Sequence, residues 1–162
     1  MIHLLKIQKN TGQTVLEIVI AISILIIILA ILVPSLATFR NDQTIKNTTE
    51  DIISLLNEAR TNTLSSENST YYSVHFEANR AVYYTGGTFT DGVSSNKVIT
   101  FDTLVSLPAS GGISLNGSGS DVHFTRLSGD TNQNGTIIVR LVSDATKQKI
   151  ITIAKTGIVS AN

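Results

Sequence analysis

The sequence predicts an α+β protein in which a long N-terminal helix, partly transmembrane, packs through its C-terminal half on a small antiparallel β-sheet or β-sandwich head. Three observations predict this fold class. Residues 18–33 form an uncharged apolar run, residues 40–66 carry a helical pattern of apolar positions, and residues 67–162 contain short segments rich in β-branched and aromatic residues. With 162 residues the chain has room for about one such head.

Charge and cysteine content exclude several classes of protein. The chain has 12 basic and 12 acidic residues, so it has no excess positive charge for nucleic acid, and no nucleic-acid partner is indicated. It has no cysteine, which excludes disulfide bonds, thiolate zinc sites and cysteine nucleophiles. The head must therefore be stabilised by packing.

The apolar run can cross a membrane as a helix. At about 1.5 Å per residue, residues 18–33 extend over about 24 Å, and apolar residues on both sides bring the segment to bilayer thickness. A single segment satisfies its backbone groups in hydrocarbon only as a helix. Lys6 and Lys9 precede the run, and such flanking positive charge stays on the cytoplasmic side. This predicts a single-pass protein of the cytoplasmic (inner) membrane with an extracytoplasmic C-terminal head.

Glu17 does not suit a simple anchor. It lies at the start of the apolar run, where an ionised carboxylate in lipid is costly unless it is paired with a cation. Cleavage after Gly12 would create an α-amino group on Gln13, about one helical turn from Glu17 in the same chain, or within reach in a neighbouring chain. Cleavage would then supply the cation that the Glu17 carboxylate needs, and the need for that cation would account for the cleavage.

A family resemblance lies in the stretch Thr11-Gly12-Gln13-Thr14-Val15-Leu16-Glu17 and the apolar run behind it. It resembles the prepilin leader of type IV pilins and type II secretion pseudopilins. The resemblance implies that a prepilin peptidase reads Gly12 and that Gln13 becomes the new, usually N-methylated terminus, where the family most often has Phe. It further implies that Glu17 pairs with a neighbouring subunit's terminus during assembly, and that Pro34 marks the kink common in these helices.

The helix after Pro34 is predicted to be amphipathic. Its apolar stripe steps by seven, four, three and four residues through Ile45, Ile52, Leu56, Ala59 and Thr63. Its other face carries the polar residues Asn41, Lys46, Glu50, Asp51, Asn57 and Asn62.

The end of this helix adds a narrower resemblance. In residues 55–65 a Leu-rich stretch leads into the pair Ala59-Arg60, which is similar to the GspH/FimT class of minor pseudopilins. An ordinary core-facing helix end would explain the same residues. The predicted organisation is a leader peptide at 1–12, a transmembrane and assembly helix at 13–39, an amphipathic helix at 40–66 and a β-rich head at 67–162.

The head is predicted to be a series of short antiparallel strands. The pattern indicates a hairpin of residues 71–77 and 80–85, a loop from 86 to 96, strands at 97–102, 112–115 and 121–126, a second hairpin of 136–142 and 149–154, and a last short strand at 157–159.

The best metal candidate in the sequence is a short stretch of the head. Asp130, Asn132 and Asn134 place three oxygen-bearing side chains at alternate positions before Gly135, as at the start of an EF-hand calcium loop. The twelfth position is Leu141 rather than Glu, and Asn-Gly before a strand is also what a type I′ hairpin turn requires. We therefore predict a turn here, with calcium as the lesser candidate and no other cofactor.

Catalytic patterns are lacking in the sequence. His75 and His123 alternate with apolar neighbours and are expected to be satisfied strand residues rather than ligands. No Gly-x-Ser-x-Gly motif, paired carboxylates or phosphate loop stands out. We predict that the protein is not an enzyme.

These observations favour a pilin-like subunit of a type IV pilus or type II secretion pseudopilus, as a minor component. The resemblance implies as partners the prepilin peptidase, other pilin or pseudopilin subunits, the inner-membrane assembly machinery and the membrane. One alternative is a soluble secreted β-rich binding module, released by signal peptidase after Ala37 in Ser35-Leu36-Ala37. A single-pass anchored adhesin or sensor head that never polymerises is another.

Overall fold

One helix and nine strands occupy the residues that the computed structural model describes, which are 14–65, 69–117 and 119–162. Helix α1 runs without interruption from Val15 to Leu64. The chain divides into two compact units, Met1–Phe39 and Arg40–Asn162, and α1 contributes residues to both. The predicted α+β class, with a long apolar N-terminal helix and antiparallel sheets, is confirmed.

Four strands of the second unit form the first sheet, in the order β3-β2-β1-β6 with every neighbour antiparallel. Their bounds are β1 Tyr72–Phe76, β2 Arg80–Thr85, β3 Lys97–Thr100 and β6 Asp121–His123. The hairpin predicted across Ala78-Asn79 is confirmed by the pairing of β1 with β2.

The second sheet has the order β4-β7-β8-β9, and β5 pairs with β7 as well. Its strands are β4 Val105–Ser106, β5 Ile113–Leu115, β7 Gly135–Leu141, β8 Gln148–Ile153 and β9 Val159–Ala161. The predicted second hairpin is confirmed as β7 and β8. The last strand begins two residues later than predicted, because Gly157 adopts a left-handed φ of 74° in the turn before it.

Residues from α1 and from both sheets share one hydrophobic core. The predicted stripe of α1 is confirmed, since each of its five positions is at most 5% exposed. The first sheet adds Val74, Phe76 and Val122, and the second adds Ile137, Val139 and Ile151. Burying an aliphatic side chain of this kind contributes about 1.5–3 kcal/mol, so the stripe ties α1 firmly to the sheets.

The polar face of the helix differs in part from the prediction. Lys46, Glu50, Asp51 and Asn57 are exposed, as expected. Asn62 is half-buried, and its Nδ2 donates a hydrogen bond to the Tyr83 hydroxyl at 3.0 Å. Its assignment to the polar outer face was wrong, because an amide at the edge of the stripe can reach a tyrosine on the facing sheet.

Candidate functional site

The main candidate functional feature is the apolar segment, which we define as Val15–Phe39 of α1. Every side chain that the structure describes in it is exposed. Among its large apolar residues the exposed fraction ranges from 44% at Ile18 to 79% at Val15. An apolar surface that surrounds a helix on all sides needs lipid or protein to cover it.

The same segment qualifies α1 as a candidate membrane span. Within the described part of the chain α1 is the one helix long and apolar enough, with a mean hydropathy of 3.3 in its 18-residue window and none of that window buried. An N-terminal signal sequence satisfies the same criterion. The hydroxyl of Ser23 donates to the Val19 carbonyl oxygen at 2.7 Å, so this polar group is satisfied inside the helix, as hydrocarbon requires.

Thr14 and Glu17 define the start of the helix. The backbone N–H of Glu17 donates to the Thr14 hydroxyl oxygen at 3.3 Å, so Thr14 is the N-cap and Glu17 the third helical residue. Thr-x-x-Glu is the capping-box sequence, and a carboxylate in the first turn also interacts favourably with the helix dipole. Glu17 therefore has a local role that the sequence reasoning missed, although the spacing Thr14 to Glu17 would have indicated it.

The two predicted processing residues, Gly12 and Gln13, lie outside the described residues, and cleavage between them stays a prediction. Pro34 lies inside α1, which is helical on both sides of it, so the predicted bend also stays a prediction. The alternative cleavage point after Ala37 precedes the second unit, which begins at Arg40. Cleavage there would leave every residue of the hydrophobic core in the product.

Near its C-terminal end α1 is fixed to the head by Arg60. The Arg60 Nε donates to the Gly129 carbonyl oxygen at 3.2 Å, and its guanidinium also donates to the Thr156 carbonyl oxygen at 3.3 Å. Its neighbour Ala59 is fully buried. This geometry gives the Ala59-Arg60 pair a packing role, since a small residue lets the helix approach the core while the arginine joins two turns.

Thr63 connects the end of α1 to the first strand. Its side chain is fully buried, and its hydroxyl donates to the Ala59 carbonyl oxygen at 2.7 Å. The same hydroxyl oxygen accepts the backbone N–H of Tyr72 at 2.9 Å. A helix residue thus satisfies a donor at the start of β1.

The face of the first sheet that points away from α1 carries a connected polar cluster. The His75 Nδ1 lies 3.0 Å from Asp121 Oδ1, which also accepts the Tyr84 hydroxyl at 2.9 Å. Burial, followed by the hydrogen bond to Asp121, raises the pKa of Tyr84. The Nδ1 of His123 lies 2.9 Å from the Ser73 Oγ. Both histidines have partners in strands, as predicted.

The proximity of serine, histidine and aspartate in this cluster does not form a catalytic triad. Ser73 is fully buried, and its single hydroxyl hydrogen is donated to the Gly86 carbonyl oxygen at 2.6 Å. The Ser73 oxygen therefore accepts from His123, which is the reverse of what a general base needs. Asp121 contacts His75 instead of His123.

A loop covers this cluster. The Phe89 ring stacks on the His75 ring with centroids 4.0 Å apart. Arg80 forms ion pairs with Glu77 at 2.7 Å and with Asp91 of the loop at 3.1 Å. Hydrogen bonds from Arg80 lower the pKa of both carboxyl groups. The loop is thus held by an aromatic stack and an ion pair.

Residues 130–135, which were predicted to form a turn with calcium as the lesser candidate, lie in the connection between the two sheets. The backbone carbonyl oxygens of Asn132 and Asn134 both accept hydrogen bonds from Asn116, at 3.0 and 2.9 Å. The hairpin form of the turn was wrong, because the strands before and after it, β6 and β7, belong to different sheets. Gly135 begins β7, where a Cβ would overlap the Ser114 carbonyl oxygen of β5. Asp130 is exposed on the same stretch, and calcium there stays a prediction.

Comparison of the chain with models of protein families, with curated proteins and with solved structures gives no match. Its function is therefore inferred from its own residues.

Proposed function

We propose that this protein is a pilin-like subunit that is inserted in the inner membrane, processed by prepilin peptidase and assembled through its N-terminal helix into a type IV pilus or type II secretion pseudopilus. The observation that carries the proposal is the apolar segment, exposed on all sides, in the same unbroken helix whose later residues belong to the head's core. The resemblance of residues 11–17 to a prepilin leader supports it.

The apolar surface of the segment suits assembly through this helix. When a subunit moves from lipid into a bundle of like helices, its apolar side chains stay covered, so the transfer exposes little apolar surface to water. Ser23 has its hydrogen bond within its own helix and needs no new partner in the bundle. The segment is therefore suited to both surroundings.

Glu17 would set the register of the bundle. A carboxylate among apolar helices is penalised unless a cation lies beside it, and the amino terminus created by cleavage after Gly12 would supply that cation. The observed N-cap hydrogen bond uses the backbone N–H of Glu17, so it leaves the carboxylate available for this pairing. The partners would be other pilin or pseudopilin subunits and the inner-membrane assembly machinery.

A secreted binding module remains the second candidate function. The observation that favours it is that the core of the second unit contains no residue before Ile45, so release after Ala37 would leave a head able to fold. In an anchored head that never polymerises, Glu17 would have no role other than the one at the start of α1.

A photo-crosslinking experiment tests assembly. A photoreactive amino acid replaces Ser23, which is exposed in the apolar segment, in a host that has a prepilin peptidase and its assembly machinery. The proposal predicts covalent adducts with the apolar N-terminal helix of another subunit, identified by mass spectrometry. Recovery of the chain without any protein adduct, or as a shortened soluble product, would contradict it.

Two variants separate the assembly role of Glu17 from its capping role. Glu17→Gln removes the charge, while glutamine is accepted at the third position of a capping box, so the helix should persist and the adduct yield should fall several-fold. Thr14→Ala removes the N-cap oxygen and leaves the charge. If both variants lose the same amount of adduct and the same amount of helical circular dichroism, Glu17 acts only in capping the helix.

A further inference from the structure

We propose that a cavity between α1 and the residues that follow β3 is a calcium-binding site, which we call the helix–strand site. The cavity has a volume of about 180 Å³ and lies wholly within the second unit. Its lining residues are Thr44, Asn47, Thr48, Asp51, Thr100, Phe101 and Asp102. The inference does not depend on the proposed function.

Nearly all the side chains that line the cavity carry oxygen atoms that can bind a metal ion. Six of its seven side chains carry oxygen, and two of them, Asp51 and Asp102, are carboxylates. Asn47 and Asp51 are four residues apart on α1, so they lie on the same face of the helix. The lining contains no lysine, arginine or histidine, and the two carboxylates together match the charge of one divalent cation.

Thr48 gives an independent indication of a ligand. It lines the cavity and is only 6% exposed, yet its hydroxyl has no hydrogen-bond partner among residues 14–65, 69–117 and 119–162. The neighbouring threonines of the helix behave differently, since Thr44 and Thr49 each donate to the carbonyl oxygen four residues before them. A buried hydroxyl without a partner is unfavourable, and a cation in the cavity would give its oxygen one.

The side of the cavity opposite the helix is held in place. The Oδ1 of Asp102 accepts the backbone N–H of Leu104 at 2.9 Å, which leaves its other carboxylate oxygen for a ligand. The Asp102 carbonyl oxygen accepts the backbone N–H of Val105 at 2.9 Å. Phe101 is buried in the core, and its N–H donates to Asn79. The two carboxylates thus project from fixed backbone.

The donor set favours calcium over other metals. The lining contains no histidine and no cysteine, the nitrogen and sulfur ligands that zinc prefers. Calcium accepts six to eight oxygen ligands of mixed type, and neutral hydroxyl and amide oxygens suit it. Magnesium needs a near-ideal octahedron and keeps its waters. With only two carboxylates, the affinity should fall in the range of extracellular modules, with a Kd of about 0.1–1 mM.

Calcium binding is tested on the full chain in a non-ionic detergent after treatment with a chelator. All four tyrosines lie in residues 71–84 and the chain has no tryptophan, so tyrosine fluorescence reports unfolding of the head alone. At 10 mM Ca²⁺, the proposal predicts a rise of about 4–8 °C in the Tm of the head. Sodium chloride at equal ionic strength should give no such rise, and Mg²⁺ a smaller one.

Isosteric variants locate the site. Asp51→Asn and Asp102→Asn should each reduce the calcium-dependent rise to below about 1 °C; asparagine at 102 can still accept the Leu104 N–H. Glu50→Gln is the matched control, since Glu50 is the adjacent exposed carboxylate and pairs with Lys46. It should retain the full rise. No rise in the wild-type chain, equal responses of Asp51→Asn and Glu50→Gln, or a rise abolished only by Asp130→Asn would each overturn the proposal.

Discussion

Replacement of Thr63 tests how the end of α1 is joined to the head. In Thr63→Val the side-chain shape is kept and the hydroxyl is lost, so the Tyr72 N–H, now bonded to Thr63 Oγ1 at 2.9 Å, is left buried without that acceptor. An unsatisfied buried donor costs about 1–3 kcal/mol. For a head of this size that free energy corresponds to a fall of about 4–10 °C in Tm.

Thr49→Val is the matched control for this prediction. Thr49 is also buried, but its hydroxyl only donates to the Ile45 carbonyl oxygen within the helix. That carbonyl is one of the acceptors of the helix itself, so the variant leaves no donor stranded and should lower the Tm by less than about 3 °C. Tyrosine fluorescence in detergent gives both values. Equal shifts in the two variants would refute the bridging role of Thr63.

Two further predictions concern the head. Gly157→Ala should destabilise the head by about 2–4 kcal/mol, because its φ of 74° is unfavourable for alanine and the added Cβ would overlap the Gly129 carbonyl oxygen. Gly92→Ala has the same φ but open space around it, so urea unfolding should show a loss of only about 1 kcal/mol, and equal losses would contradict the steric argument. The lowered pKa values of Glu77 and Asp91 predict a stabilising contribution that is present above their ordinary values of 4.5 and 3.8 and is lost as the pH falls through the folded-state values. Arg80→Gln should remove that contribution, so the difference in urea midpoint between wild type and variant should shrink between pH 7 and pH 3, and a constant difference would argue against it.

The sequence predicts the elements of this fold that depend on repeating patterns. The stripe from Ile45 to Thr63 and the two hairpins follow from periods of 3.6 and 2, which sequence alone displays. Strand β4 has only two residues, Val105 and Ser106, and is formed by its pairing with β7, so no local pattern could indicate it. The calcium candidate at Asp130, Asn132 and Asn134 follows from a local spacing, with oxygen-bearing side chains at alternate positions.

Contacts between distant residues explain what the sequence could not predict. The helix–strand site combines residues about fifty positions apart, such as Asp51 and Asp102, and neither segment carries a metal motif. Arg60 reaches Gly129 and Thr156 only because the strands bring two turns to the end of α1. The local capping role of Glu17, by contrast, could have been predicted from Thr14 three residues before it.

The mature N-terminus tests the central claim most directly. The full chain with a C-terminal tag is expressed in a host that has a prepilin peptidase, and intact-mass and peptide mass spectrometry compare wild type, Gly12→Ala and a peptidase-deficient strain. Our account predicts a chain that begins at Gln13 only when both Gly12 and the peptidase are present. A chain that begins at Thr38 in every strain would contradict it and would favour a secreted head.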